Sequence, residues 1–151
     1  MLKVTEESIS LDQVLTDLKA NNSGSVVTHV GVVRPASEGK KVASIEYLIN
    51  GKEAERELSD IASEIRTGWE IEDIALCRRA GRLNFGEAIL VVAVSAPRHK
   101  AAFEACKGAV ERMKIMKSVT KREVFAEGQA ISIPPPQHDA HRNTTEGPAK
   151  M

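Results

Sequence analysis

The sequence predicts an α+β fold, with a mostly antiparallel sheet and helices packed on one face of it. Two segments, 54–65 and 102–116, repeat apolar residues at helical spacing. β-Branched or apolar runs at 25–34, 42–49, 71–79, 88–95, 119–126 and 130–133 read as strands. The strands fall in pairs between the helices, which favours hairpins over a repeated βαβ unit.

In chain order, the first residues form a short strand or arm, followed by a small helix. Ser10 and Gln13 have the spacing of a capping box, and Leu11, Val14, Leu15 and Leu18 share one face. Asn21-Asn22-Ser23-Gly24 stops that helix. A β-branched strand runs to Arg34, and a polar loop from Pro35 to Lys41 leads into the strand Val42–Ile49. Asn50-Gly51 has turn chemistry, but Ala54, Leu58, Ile61 and Ile65 start a helical stripe at once, and Trp69 ends it. Ile71 to Arg79 is a strand, and Gly81 to Gly86 is a turn. The nearly all-apolar run 88–95 reads as a strand covered on both faces, at an interface or in the core. Pro97 is expected to open the next helix, whose buried stripe is Ala102, Cys106, Ala109, Met113 and Met116. Two short strands flank Glu127-Gly128. The segment from Pro134 to Met151 begins Pro-Pro-Pro and is polar, so residues 1–133 are expected to fold and 134–151 to be a disordered tail.

With 151 residues the chain is one domain large enough to fold without disulfides or metal. Lys plus Arg and Asp plus Glu each number 21, and aromatics are 3%. Neither global charge nor stacking platforms favour nucleic acid, and no apolar run would span a membrane. A small nucleic-acid-binding domain using the 98–122 stripe is the weakest reading. Cys77 and Cys106 have no CxxC partner and read as buried thiols of a reduced, cytoplasmic protein. The four histidines have no metal-ligand spacing, and no nucleotide or cofactor motif is present, so no metal or cofactor is expected.

Zero net charge conceals a segregation. Residues 51–75 carry eight acids and three bases, whereas residues 98–122 carry eight bases and two acids. Two solvated helix faces would account for this. So would an anion site, in which Lys114 and Lys121 converge with Arg34, Arg78 and Arg79 at strand ends on a small polyanion. A lysine crowded by other cations has its ammonium form disfavoured and can serve as base or nucleophile.

Several short segments, in order, resemble one family. They are Gly31-Val32-Val33-Arg34, Ile45-Glu46-Tyr47, Arg78-Arg79-Ala80-Gly81 with Gly86-Glu87, Ala96-Pro97-Arg98-His99 through Phe103, and Met113-Lys114 with Lys121-Arg122-Glu123 seven residues on. Together they resemble the large, catalytic subunit of molybdopterin synthase, the MoaE family. The resemblance implies an α/β hammerhead with an added antiparallel subdomain. It implies a homodimer that carries a small ubiquitin-like sulfur-carrier subunit, ending in Gly-Gly, at each end. The reaction implied moves sulfur from that subunit's C-terminal thiocarboxylate to cyclic pyranopterin monophosphate.

By the same resemblance Lys121 lies near the attacked carbon, as acid/base or transient covalent holder, and Lys114 orients substrate and stabilises developing charge. Arg34 binds pterin or phosphate, and Arg98 and His99 reach the phosphate across a dimer interface. Arg79 either binds substrate or forms a structural ion pair. The chain departs from the pattern at Arg78, where the family has histidine, and in the inverted order of Arg98-His99. It departs again at Ser118 and Thr120, which replace proline and tryptophan. Those departures leave open a paralogue that binds a partner or a phosphate without chemistry.

Overall fold

The computed structural model describes residues 1–34, 36–37, 40–125 and 130–133. Most of the loop expected after Pro35, the Glu127-Gly128 turn and the 134–151 tail lie outside the described residues.

Twelve elements are described, and they form two sheets and three helices. The first sheet contains β1 (Leu2–Thr5), β2 (Ser25–Val32), β5 (Asp73–Arg79) and β7 (Ala88–Ala96), in the order β1-β5-β7-β2. Its pairs are antiparallel except β1 with β5, which run parallel. The second sheet contains β3 (Ala36–Ser37), β4 (Lys40–Ile49), β8 (Val119–Phe125) and β9 (Ala130–Ile133). β6 (Gly81–Asn84) also pairs with β4. The expected turn at 81–86 is therefore mostly a short strand, and the positive φ of Gly81 and Gly86 makes the corners at either end.

Helix α1 (Leu11–Asp17) starts as expected, with the Ser10 hydroxyl accepting the Gln13 N–H at 3.2 Å. Gln13 does not return the bond. Its amide donates to Asp17 Oδ1 at 2.9 Å, so only half of the capping box forms. Helix α2 (Gly51–Gly68) is capped by the Asn50 side chain, which resolves the ambiguous Asn-Gly as a helix start. Helix α3 (His99–Met113) begins after Arg98 as N-cap, so Pro97 sits just outside the helix rather than at its first position.

β7 has neighbours on both edges and apolar contacts on both faces. Leu90, Val92 and Val94 join Ile74 and Leu76 of β5 under α2 and α3, in a core that also takes in Ile45, Tyr47 and Leu83 of the second sheet. Val91 and Ala93 pack on the other face with Ala75, Cys77, Val14 of α1 and its C-cap Leu18. Helices thus cover both faces of the first sheet, where the sequence pattern suggested one. An apolar run of this kind is too short to reveal that the small helix crosses to the opposite side. Among the described residues no helix is long and apolar enough to cross a membrane.

Leu76 is fully buried on β5, between β1 and β7. Leu76→Ala is expected to cost about 2–5 kcal/mol, from lost transfer energy plus a cavity, read as a lowered denaturant midpoint. A midpoint equal to the parent's would contradict this placement of the core.

Candidate active site

After β7 the chain turns at 97–98 and α3 runs back along the strand. The Cys106 thiol lies 4.0 Å from the Val92 carbonyl, which places mid-helix over mid-strand. Continuing about two turns brings Lys114, the C-cap of α3, toward the start of β7. Arg34 lies at the same end, just past β2, where Val33 exchanges backbone hydrogen bonds with the 86–87 turn. β5 delivers Arg78 and Arg79 there as well, since Arg78 pairs with Leu90.

Lys121 reaches this end from the second sheet. In the ladder it faces Tyr47, which faces Gly81 on its other side. Side chains directly opposite share a face, so Lys121 lies on the inward face with Tyr47. The Arg78 guanidinium is 4.6 Å from the centroid of the Tyr47 ring, a cation–π contact. Arg78, Tyr47 and Glu123 are all buried. Burial pushes the Tyr47 hydroxyl's pKa up, against the pull of the Arg78 charge and with the push of Glu123. Arg122, on the opposite face, pairs with Glu46.

Arg79 is committed to a carboxylate. Its Nη1 lies 3.2 Å from Glu87 Oε1, and the other Glu87 oxygen accepts the Asn84 N–H at 2.7 Å. Of the two roles open to Arg79, this geometry is that of the ion pair that shapes the 84–87 turn.

Arg98 and His99 are exposed at the opposite end of α3. Fifteen residues of helix separate them from Lys114, about 22 Å at 1.5 Å per residue. One chain therefore gathers Lys114, Lys121, Arg34 and Arg79 at one end and leaves Arg98-His99 at the other.

Sequence reasoning missed His29. It is on β2 and half-buried, and its Nε2 lies 3.7 Å from where a Gly31 Cβ would stand. Burial and then the Lys114 charge lower its pKa, so the ring is neutral at pH 7. The available signal was parity, because His29 shares its strand face with Val27, which packs on the core. Among the described residues, the buried side-chain polar atoms that lack a hydrogen-bond partner include His29 Nε2, Arg78 Nε and Arg79 Nε. Arg78 and Arg79 lie at this end of the sheet, and His29 is in the middle of β2, opposite Val92. Such atoms are rare because each costs stability, and they concentrate where function overrides it. Among the described residues no group of three or more His, Cys, Asp or Glu is placed to hold a metal ion.

A family profile described as MoaE protein matches residues 4–116, most of the chain. This chain belongs to the MoaE family. The match takes in Arg34, Arg79, Arg98, His99 and Lys114, and it stops before Lys121. The chain is 33% identical over 127 residues to the molybdopterin synthase catalytic subunit of Bacillus subtilis, covering 84% of this chain and 81% of that one. It is likewise 33% identical to the human protein of that name, over 84% of this chain and 68% of that one. The fold is similar to a crystal structure of molybdopterin synthase from Staphylococcus aureus, with TM-score 0.81 and 27% identity over 89% of this chain and 96% of that one.

The approach of Lys114 to His29 can be checked directly. The His29 ring should titrate below the ordinary 6.5 in an NMR pH series, and Lys114→Gln should move its midpoint upward by removing a nearby positive charge. An unchanged midpoint in that variant would separate the two residues.

Proposed function

We propose that this chain is the large subunit of molybdopterin synthase, transferring sulfur from the C-terminal thiocarboxylate of a small ubiquitin-like subunit to cyclic pyranopterin monophosphate to form the dithiolene. Family membership carries the class of reaction. The site is supported by placement: Lys114 caps α3, Arg34 follows β2 and Arg78 ends β5 at one end of the first sheet, and Lys121 is paired with Tyr47, whose ring stacks on Arg78.

Each residue has a role its chemistry suits. Lys121, on the inward face of β8, moves a proton to or from the reacting groups or holds the acyl carbon transiently. Lys114 orients the substrate and offsets charge that develops on sulfur or oxygen. Arg34 takes a phosphate or pterin oxygen through its planar guanidinium. Arg79 holds the turn next to them through Glu87.

The distance along α3 supports a homodimer. Arg98 and His99 cannot reach their own chain's Lys114, so they serve the phosphate of the second copy's site. Edge strand β2 leaves Val26, Val30 and Val32 exposed, an apolar surface suited to a second copy. The buried free thiols Cys77 and Cys106 fit a reduced, cytoplasmic setting. Residues 1–133 form the enzyme domain in this reading, with 134–151 appended.

The test is reconstitution with a thiocarboxylated small subunit and the cyclic pterin phosphate, assayed for dithiolene. Product is expected, falling by roughly a hundredfold or more in Lys121→Ala with the fold intact by circular dichroism. Normal turnover in that variant would defeat the assignment of Lys121. A stable complex with the small subunit but no product would favour the alternative, a paralogue that binds without chemistry, for which Ser118, Thr120 and Arg98-His99 give the motive.

A further inference from the structure

The two lysines are joined by a short turn, and α2 holds that turn at one point. Glu57 Oε2 accepts the Lys117 N–H at 2.9 Å, and Glu57 Oε1 accepts the Ser118 N–H at 2.8 Å. The Asn50 N–H donates to the Ser118 carbonyl at 3.1 Å, while the Asn50 side chain caps α2. Ser118 is thus gripped through its N–H and its C=O by the first two turns of one helix. Met116, one residue before the grip, is buried in the core. The Ser118 side chain is buried beside the same carboxylate, and its hydroxyl adds to the two backbone contacts.

The carboxylate suits this task. Burial raises the Glu57 pKa, but hydrogen bonds from Ser118 and Lys117, with the Arg112 charge, outweigh that and bring it below the usual range. Each oxygen already holds one N–H, so neither needs a substrate proton. A proline at 118 would have no N–H to give. The serine creates a buried donor, and Glu57 is the acceptor that satisfies it.

We propose that Glu57 is a positioning residue for sulfur transfer: by gripping the 117 and 118 N–H groups it fixes the path from Lys114 to Lys121, and so the separation and direction of the two side chains. This rests on the reading of Lys114 and Lys121 as the reacting pair. Without the grip the turn follows several paths, and the lysines lose their common geometry while the rest of the fold persists.

The experiment compares Glu57→Ala and Glu57→Gln with the parent, using the full chain, the thiocarboxylated small subunit and the cyclic pterin phosphate. Assays are run well below each variant's thermal transition. Glu57→Ala is expected to lower kcat about ten- to a hundredfold, the usual effect of misplacing reacting groups by around an ångström. KM for the pterin should change by no more than about twofold. Glu57→Gln should lose less, because the carboxamide keeps one accepting oxygen. Adding Ser118→Pro to Glu57→Gln removes the N–H left without an acceptor, and part of the lost kcat should return.

Parental kcat in both Glu57 variants would overturn the inference. So would a loss confined to KM, or no recovery in the double variant. If Glu57→Ala does not fold, Glu57→Gln and its proline double variant carry the test. Lys121→Ala, run alongside, separates the two readings. If it turns over normally the catalytic assignment falls, and if it is silent while the Glu57 variants run at the parental rate, only the role of Glu57 falls.

Discussion

The burial of β7 on both faces is the constraint on which the other elements depend. A strand reading Ala-Ile-Leu-Val-Val-Ala-Val-Ser-Ala has no polar face to give to water. Each side must therefore be covered, by α1 on one and by α2 and α3 on the other. The connection after β7 is short, so α3 has to double back along the strand that precedes it. That return sends the basic C-terminal end of α3 to the end of the sheet where β2 and β5 finish. The clustering of cations at one end is a consequence of packing an apolar strand. It required no separate folding instruction.

Such a cluster is electrostatically unfavourable, and the structure contains specific devices that limit the repulsion. Arg78 is buried against the Tyr47 ring, and Arg79 is neutralised by Glu87. Arg122 turns to the other face and pairs with Glu46. Arg112 pairs with Glu64 across α2 and α3. The Arg112–Glu64 pair joins the acidic segment 51–75 to the basic segment 98–122. Lys114, Lys121 and Arg34 are the cations of the proposed site. A neutral histidine lies beside Lys114, where a second cation would add to the repulsion. A site of this composition would attract an anion.

The fold class was legible because the apolar periods of α2, α3 and β7 are strong. The capping residue Ser10 marked its helix start correctly, while Asn50-Gly51 read as a turn and Asn50 is in fact the cap of α2. The short strand β6 was not legible, since four residues between two turn glycines carry no periodic signal. The side chosen by α1 was not legible either, because nothing local says which face of a sheet a helix will cover. Of the candidate site residues, Lys114 and Lys121 stood out through their resemblance to the family's lysine pair seven residues apart, and the arginines through their positions at strand ends. Glu57 was invisible. It sits at the margin of an ordinary amphipathic helix, and its partners lie about sixty residues away in sequence. The separation of about 22 Å between His99 and Lys114 follows from helix length once α3 is placed, and it motivates the proposal that Arg98-His99 serve a second copy's site.

The central claim is that the region where Lys114 and Arg34, at one end of the first sheet, face Lys121 of the second sheet receives the sulfur-bearing tail of a small partner subunit. A crystal structure of this chain with that subunit tests it most directly. The account predicts the partner's terminal glycine within hydrogen-bonding reach of Lys121 Nζ, about 3 Å, with its tail extended along the second sheet. A tail ending away from Lys121, or against Arg98-His99 of the same chain, would contradict the account.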